Sequence, residues 1–307
     1  MKKTSNSVIF FGNERLATGV ETTTLALRAL LENKYQVKAV VSNYAADQSK
    51  NARSLEVAQV TESHQLPLLL PTKLKDIKSE LLNYNADIGV LVAYGKIVPE
   101  EIINIFPRGI VNLHPSLLPL HRGPTPIESV ILDGDEKTGV SIMQLAKAMD
   151  AGPIYGQSEL KLSGNESKQS LADTLLDIGQ AMLLELLPGI INGTIVALPQ
   201  ANSRASYDNL LSKNDGTLDW QKPAIQLERE IRAFAEWPKS RTILGGKEVI
   251  ITNSKVINEI GKVGDIKMEG RRLFVYCAQQ ALEILSLKPA GKPEMSAEAF
   301  ISGYASL

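Results

Sequence analysis

The chain has 307 residues, 44% apolar and 22% charged, with a net charge of −1 at neutral pH. That length suits two domains whose cores need no disulfide or structural metal. One cysteine and three histidines exclude a disulfide framework and argue against a zinc site, and the near-zero charge argues against tight non-specific nucleic-acid binding.

The N-terminal run Val8-Ile9-Phe10-Phe11 is too short for a signal sequence. No uninterrupted apolar run approaches the roughly 18 residues that span a bilayer, so a cytoplasmic protein without membrane contact is expected. The same run, ended by Gly12, reads as a buried parallel strand. Residues 22–32 form a helix with Leu25, Ala26, Ala29 and Leu30 on one stripe, and 37–42 the next strand. This β-α-β opening predicts a right-handed crossover and an α/β fold with a doubly wound, mostly parallel Rossmann-like sheet. A helix over 55–64, a strand over 88–93 ending at Tyr94-Gly95, and a strand over 110–114 stopped by Pro115 follow. Residues 139–145 and 154–160 read as a hairpin, and 171–187 as a long apolar helix ended by Pro188-Gly189. Neither G-x-G-x-x-G nor a phosphate loop is present, so a dinucleotide or nucleoside triphosphate reading loses its main support.

The polar stretch 197–207 reads as a linker between a catalytic domain, 1–196, and a C-terminal domain, 208–307. The latter opens with an amphipathic helix over 223–237, with Ala224, Leu227, Ile231 and Phe234 on one stripe. Short strand-like runs at 248–252, 255–257, 265–268, 272–277 and 282–287, several punctuated by glycine, predict a small OB-like β-barrel domain. Cys277 ends one apolar run and reads as a buried structural thiol. Residues 206–307 carry 14 Lys and Arg against 13 Asp and Glu, so charge alone reveals no partner.

Open α/β sheets bind ligands at the carboxyl ends of their strands. Asn112 and His114, at i and i+2 on such a strand, share one face. With Asp150 downstream they form a set of amide, imidazole and carboxylate suited to moving an acyl-type group onto an amine. Each also has a plain structural reading: a strand-end cap for Asn112, a backbone-bonded imidazole for His114, and an Asp-Ala-Gly turn for Asp150.

Ser116-Leu117-Leu118-Pro119, followed by Arg122-Gly123 and Pro126-Ile127, resembles the signature of the folate-dependent formyltransferases. The resemblance implies Asn112, His114 and Asp150 as the catalytic residues. It implies Ser116, Leu117, Leu118 and Pro119, with Tyr94, Gly95, Lys96, Ile97 and Val98, as the lining of a pterin pocket. Leu218-Asp219-Trp220, Ile231-Arg232-Ala233-Phe234, Trp237-Pro238 and Leu285-Ser286-Leu287-Lys288 are similar to family members that act on methionyl-tRNA. The implied reaction moves the formyl group of 10-formyltetrahydrofolate to the α-amine of methionyl initiator tRNA, in a monomer and without a metal. Asn112 and His114 would stabilise the developing oxyanion, and Asp150 would orient His114 and favour its charged form. Lys213, Arg229, Arg232, Lys239, Arg241 and Lys247 are candidate contacts to tRNA phosphates, and solvated surface explains each of them equally well.

Three stretches depart from the family's pattern: Asn13-Glu14-Arg15-Leu16 after the first strand, residues 43–55 with only Lys50 and Arg53 as cations beside Asp47, and Pro115 between His114 and Ser116. Two rival readings are an amino-sugar nucleotide as the acceptor and a non-catalytic folate- or RNA-binding protein.

Overall fold

The computed structural model describes residues 6–13, 19, 20, 22, 25–43 and 56–303. Residues Glu14, Arg15 and Leu16, the stretch 44–55 with Asp47, Lys50 and Arg53, and the expected first turn of the first helix at Thr23 and Thr24 lie outside the described residues. The chain divides into two compact units. One is Met1–Pro126, Lys137–Lys161 and Gln169–Asn209; the other is Ile127–Glu136, Leu162–Lys168 and Leu210–Leu307.

Up to residue 192 the elements are β1 (Ser7–Gly12), α1 (Leu25–Glu32), β2 (Gln36–Val41), α2 (Glu56–Ser63), β3 (Leu68–Leu69), α3 (Lys78–Asn83), β4 (Ile88–Val92), α4 (Glu100–Ile103), β5 (Ile110–His114), α5 (Pro126–Asp133), β6 (Lys137–Gln144), β7 (Ile154–Lys161) and α6 (Lys168–Asn192). The sheet order is β3-β2-β1-β4-β5-β6-β7. Pairing is parallel from β3 to β5 and antiparallel for β6 and β7. The continuous apolar runs β1, β4 and β5 are buried along their whole length, as strands covered on both faces must be. The strand order reverses between β1 and β4, which is where such sheets open a crevice beyond their carboxyl ends. Register sets Leu91 beside Asn112 and His114 beside Ser141. The two-residue, half-buried β3 is too short to be read from a sequence pattern.

Helix α6 runs past the stop expected at Pro188. Buried Leu187, Ile190 and Ile191 hold its last turn to the core, the proline lies on the exposed side, and Gly193 at φ +80° ends the helix. By length and composition α6 is a described helix that could cross a bilayer. Asp173, Asp177 and Glu185 interrupt its apolar run in the sequence. Its stripe Leu171, Leu175, Leu176, Leu183 and Leu187 is buried within the fold, which is the pattern of a core-facing helix. Gly179 on this stripe meets Leu113 of β5. A Cβ at 179 would lie 2.6–3.0 Å from the leucine's side-chain atoms, an overpacking that costs about 1–3 kcal/mol in well-packed cores.

The second unit holds α7 (Ala224–Ala233), β8 (Ser240–Leu244), β9 (Lys247–Ile257), β10 (Ile266–Glu269), β11 (Arg272–Tyr276), β12 (Ala281–Pro289), β13 (Met295–Ser296) and α8 (Ala297–Gly303). The expected barrel-like β domain is a six-stranded antiparallel sheet, ordered β10-β11-β12-β9-β8, with β13 on β12. Leu227 and Ile231 of α7, Phe300 of α8, and Leu273, Val275, Ile284 and Leu287 of the sheet share one core. The runs read as two strands at 248–257 are one strand, β9, whose register against β12 shifts near Ser286. Helix α7 is shorter than expected. Phe234 closes it, and the chain turns through Pro238 and Lys239, at φ +71°, into the unforeseen β8. Cys277 is buried, and burial pushes its thiol up to about 11.

Candidate active site

Alternation along β5 sends Asn112 and His114 to one face and Leu113 to the face under α6. Both polar side chains are buried, yet among the described residues no hydrogen bond engages the Asn112 carboxamide. Its NH2 is therefore open to donate to water or to a bound ligand. His114 Nε2 lies 2.9 Å from the carbonyl oxygen of His121. A carbonyl only accepts, so Nε2 carries the proton. Nδ1 then faces Asp150, whose Oδ2 is 3.9 Å away.

Asp150 sits in a turn at φ +47°, a conformation that Asp and Asn adopt more readily than other side chains. Its Oδ2 accepts a 2.9 Å hydrogen bond from the Gly123 N–H. Gly123, at φ +125°, approaches Asp208 so closely that a Cβ there would lie 2.6 Å from the Asp208 carbonyl oxygen, so only glycine can offer this N–H. The gap of 3.9 Å between Nδ1 and Oδ2 exceeds a direct hydrogen bond. One oxygen or nitrogen can sit within hydrogen-bond reach of both. The pair is set to share a proton-carrying atom.

The loop after β5 is shaped from the hairpin beside it. Ser141 Oγ donates to the Ser116 carbonyl at 2.7 Å and accepts from the Leu118 N–H at 3.1 Å. Gln157 Nε2 donates to Ser141 Oγ and to the Leu118 carbonyl, both at 2.8 Å. Ser116 and Leu118 are buried, and Leu117 and Pro119 form a half-buried rim. Ser141 and Gln157 were missed by sequence reasoning; they are directly opposed cross-strand partners on β6 and β7.

Of the residues assigned to a pterin pocket beyond β4, the structure moves two side chains elsewhere. Tyr94 and Val98 belong to the core with Phe11 and Phe106. The Tyr94 ring stands edge-on to Phe11 at 5.9 Å, its hydroxyl is buried with no partner among the described residues, and burial pushes it up to about 12. Strict alternation would leave Tyr94 on the face of Val92; Ala93, at φ +55°, breaks the extended backbone and Tyr94 packs instead with Phe11 and Leu91. Gly95, Lys96 and Ile97 remain exposed at the crevice. The backbone there is tied to β1 and β2, since Asn43 donates to the Tyr94 carbonyl, Asn13 donates to Asn43, and Ser42 Oγ donates to Asn13 Oδ1 at 2.6 Å.

Residues 14–187 match the family described as formyl transferase, and residues 210–305 match the formyl transferase C-terminal domain. The chain belongs to the formyl transferase family. It is 36% identical over 286 residues to a methionyl-tRNA formyltransferase of Pseudoalteromonas translucida, covering 90% of this chain and 89% of that one. It is 35% identical to the methionyl-tRNA formyltransferase of Chloroflexus aggregans, covering 96% of each. Among solved structures, an N-formyltransferase from Helicobacter canadensis in complex with folinic acid and dTDP-3-aminofucose has the same fold, with a TM-score of 0.69 and 18% identity over 91% of this chain and 98% of that one.

Two features of this formyl transferase were not legible in its sequence. His121, buried at φ +54°, holds His114 through its carbonyl and faces Asp208 Oδ1 at 3.2 Å from its own Nδ1. The stretch read as a linker returns to this loop: Ser206 Oγ accepts from the His121 N–H at 2.8 Å, and the Asp208 N–H donates to the Arg122 carbonyl at 2.7 Å.

The six candidate tRNA contacts divide by environment. Arg232 is held by Glu228 at 2.7 Å and by the Glu166 carbonyl at 2.9 Å. Arg229 reaches the Asp133 carbonyl at 3.3 Å, and Arg241 donates to the Lys213 carbonyl. Lys213, Lys239 and Lys247 are exposed. Among the described residues no cluster of three or more His, Cys, Asp or Glu could hold a metal ion.

Proposed function

We infer that the chain transfers the formyl group of 10-formyltetrahydrofolate to the α-amine of methionine carried by initiator tRNA. The observation that carries this reading is the unengaged Asn112 amide beside the His114–Asp150 pair, 3.9 Å apart at the carboxyl end of β5. Its acceptor is drawn from the relatives, which are named methionyl-tRNA formyltransferases and align across both units. The folate bound in the Helicobacter enzyme supports the donor. An amide donor without a protein partner among the described residues suits a formyl oxygen.

Bound donor supplies the one-carbon unit: the amine lone pair forms a new C–N bond to the formyl carbon, the old C–N bond breaks, and the amine proton ends on the folate nitrogen. Asn112 donates to the formyl oxygen as negative charge develops there. One such donor is worth about 2.7–4 kcal/mol in other acyl-transfer enzymes. His114 Nδ1 and Asp150 Oδ2 together take the proton from the amine and return it to the leaving nitrogen, across the gap that accommodates one bridging atom. The protonated imidazole is stabilised by the carboxylate beside it and by the His121 carbonyl. Ser116, Leu117, Leu118 and Pro119 border the donor, and the backbone of Gly95, Lys96 and Ile97 offers it hydrogen-bonding groups.

Lys213, Lys239 and Lys247 position the tRNA backbone, and the acceptor end supplies the specificity. The enzyme works as a monomer in the cytoplasm and needs no membrane. The test is an acceptor comparison. Purified protein with 10-formyltetrahydrofolate is offered methionyl initiator tRNA, uncharged tRNA, or an amino-sugar nucleotide. Formyl-methionine from the first alone is the expected result, and formylation of the sugar in its place would overturn the reading.

A further inference from the structure

Arg122 is 1% exposed, and among the described residues no carboxylate pairs with it. Its guanidinium is held by neutral groups only. Nε and Nη2 donate to Gln200 Oε1 at 3.1 and 2.7 Å, Nη2 also to Asn202 Oδ1 at 2.7 Å, and Nη1 to the Tyr207 hydroxyl at 2.9 Å. The Tyr207 ring lies 5.6 Å from the guanidinium carbon. A buried cation held this way needs every acceptor in place.

Gln200 is the hinge of the arrangement. Its oxygen is committed to the guanidinium, so its NH2 faces the other way. Nε2 donates to the Asp150 carbonyl at 2.7 Å and to the Gly152 carbonyl at 2.6 Å. The opposite amide orientation would set the NH2 against the guanidinium and the oxygen against two carbonyls, so chemistry fixes which way it points. The turn it grips holds Asp150 at φ +47° and packs so tightly that a Cβ at Gly152 would fall 1.8 Å from the Gln144 carbonyl oxygen. Gly123, next to Arg122, binds the Asp150 carboxylate directly. Arg122 thus governs the Asp150 turn twice: by its side chain through Gln200, and by the backbone that follows it.

We propose that Gln200, oriented by Arg122, is a positioning residue for the transfer, one carboxamide that fixes the Asp150 turn and with it the distance from Asp150 to His114. The proposal rests on the function inferred above. Neither residue touches the reacting atoms. Misplacement by about 1 Å costs on the order of 100-fold in rate at other enzyme centres.

The test uses Gln200→Glu and Gln200→Met in the full chain. Gln200→Glu keeps acceptors for Arg122, in a stronger charged pair, but loses both donors to the turn. We expect a folded protein, kcat at least 10-fold lower, and KM for both substrates within twofold. Gln200→Met, which loses both functions, gives the same split of kcat from KM should the glutamate variant fail to fold. A kcat within threefold of the wild type in a folded variant, or a loss that merely tracks Tm, overturns the proposal. A second readout needs no substrate: the imidazole ¹H–¹³C signal of His114, one of three histidines, shifts in the Gln200 variants as Asp150 moves. If the wild type does not formylate methionyl-tRNA, the function reading fails on its own, and this signal still decides the positioning, since an unmoved His114 signal refutes it.

Discussion

Asp150→Asn isolates the charge of Asp150 from its shape. Asparagine tolerates the same left-handed backbone and its amide oxygen can still accept the Gly123 N–H, so the turn survives. What disappears is a negative charge 3.9 Å from His114 Nδ1, with both side chains largely buried. At an effective dielectric of about 20, that attraction toward an imidazolium is about 4 kcal/mol. If half of it is expressed as the imidazole takes up the proton, the barrier rises by about 2 kcal/mol and the rate falls about 30-fold; full expression gives about 1,000-fold. Single-turnover formylation with saturating donor and methionyl-tRNA measures the step directly, with binding of both substrates followed separately. The predicted result is a 30- to 1,000-fold slower transfer, KM within about threefold and an unchanged melting temperature. A variant that keeps more than a third of the wild-type rate would refute the claim that the carboxylate acts through its charge.

Tyr94→Phe removes a buried hydroxyl that has no partner among the described residues while keeping the ring on Phe11; burying such a group costs about 1–3 kcal/mol, so Tm should hold or rise, and a weakened donor KM would return this side chain to the folate pocket. Neutralising Lys213, Lys239 and Lys247 together should raise KM for tRNA and flatten the dependence of log affinity on log salt by about 0.7–0.9 for each lysine that contacts a phosphate; an unchanged slope removes these lysines from the interface. Glu283 is held below the usual carboxylate range by the Arg272 guanidinium, hydrogen-bonded at 2.8 and 3.1 Å, and further by Lys255. A depressed carboxylate stabilises the fold above its unfolded pKa and loses that contribution as pH falls through the folded value. The Tm gap between wild type and Glu283→Gln should therefore be largest near neutral pH and close below about pH 4; a gap that widens in acid would contradict the sign.

What was legible in the sequence was what periodicity and local chemistry encode. The apolar runs of β1, β4 and β5, the alternation that puts Asn112 and His114 on one face, and the turn at Asp150 each depend on a few neighbouring residues. Pairings across long separations were not legible. Tyr94 looked like a pocket residue because it lies at a strand end, and its return to the core shows only once β1 brings Phe11 against it. Gln200 and Ser206 sit in a polar stretch with no pattern of its own, and their meaning lies in Arg122 and His121, 78 and 85 residues away. Pro188 was a sound stop signal by propensity, overridden by the buried isoleucines beyond it.

The most direct measurement is single-turnover transfer from 10-formyltetrahydrofolate to methionyl initiator tRNA by the wild type, His114→Ala and Asn112→Ala, with formyl-methionine quantified after ester cleavage. The account predicts rapid transfer by the wild type and a loss of about 100-fold or more in each folded variant. Near-wild-type transfer by either variant would show that the chemistry does not take place at the end of β5.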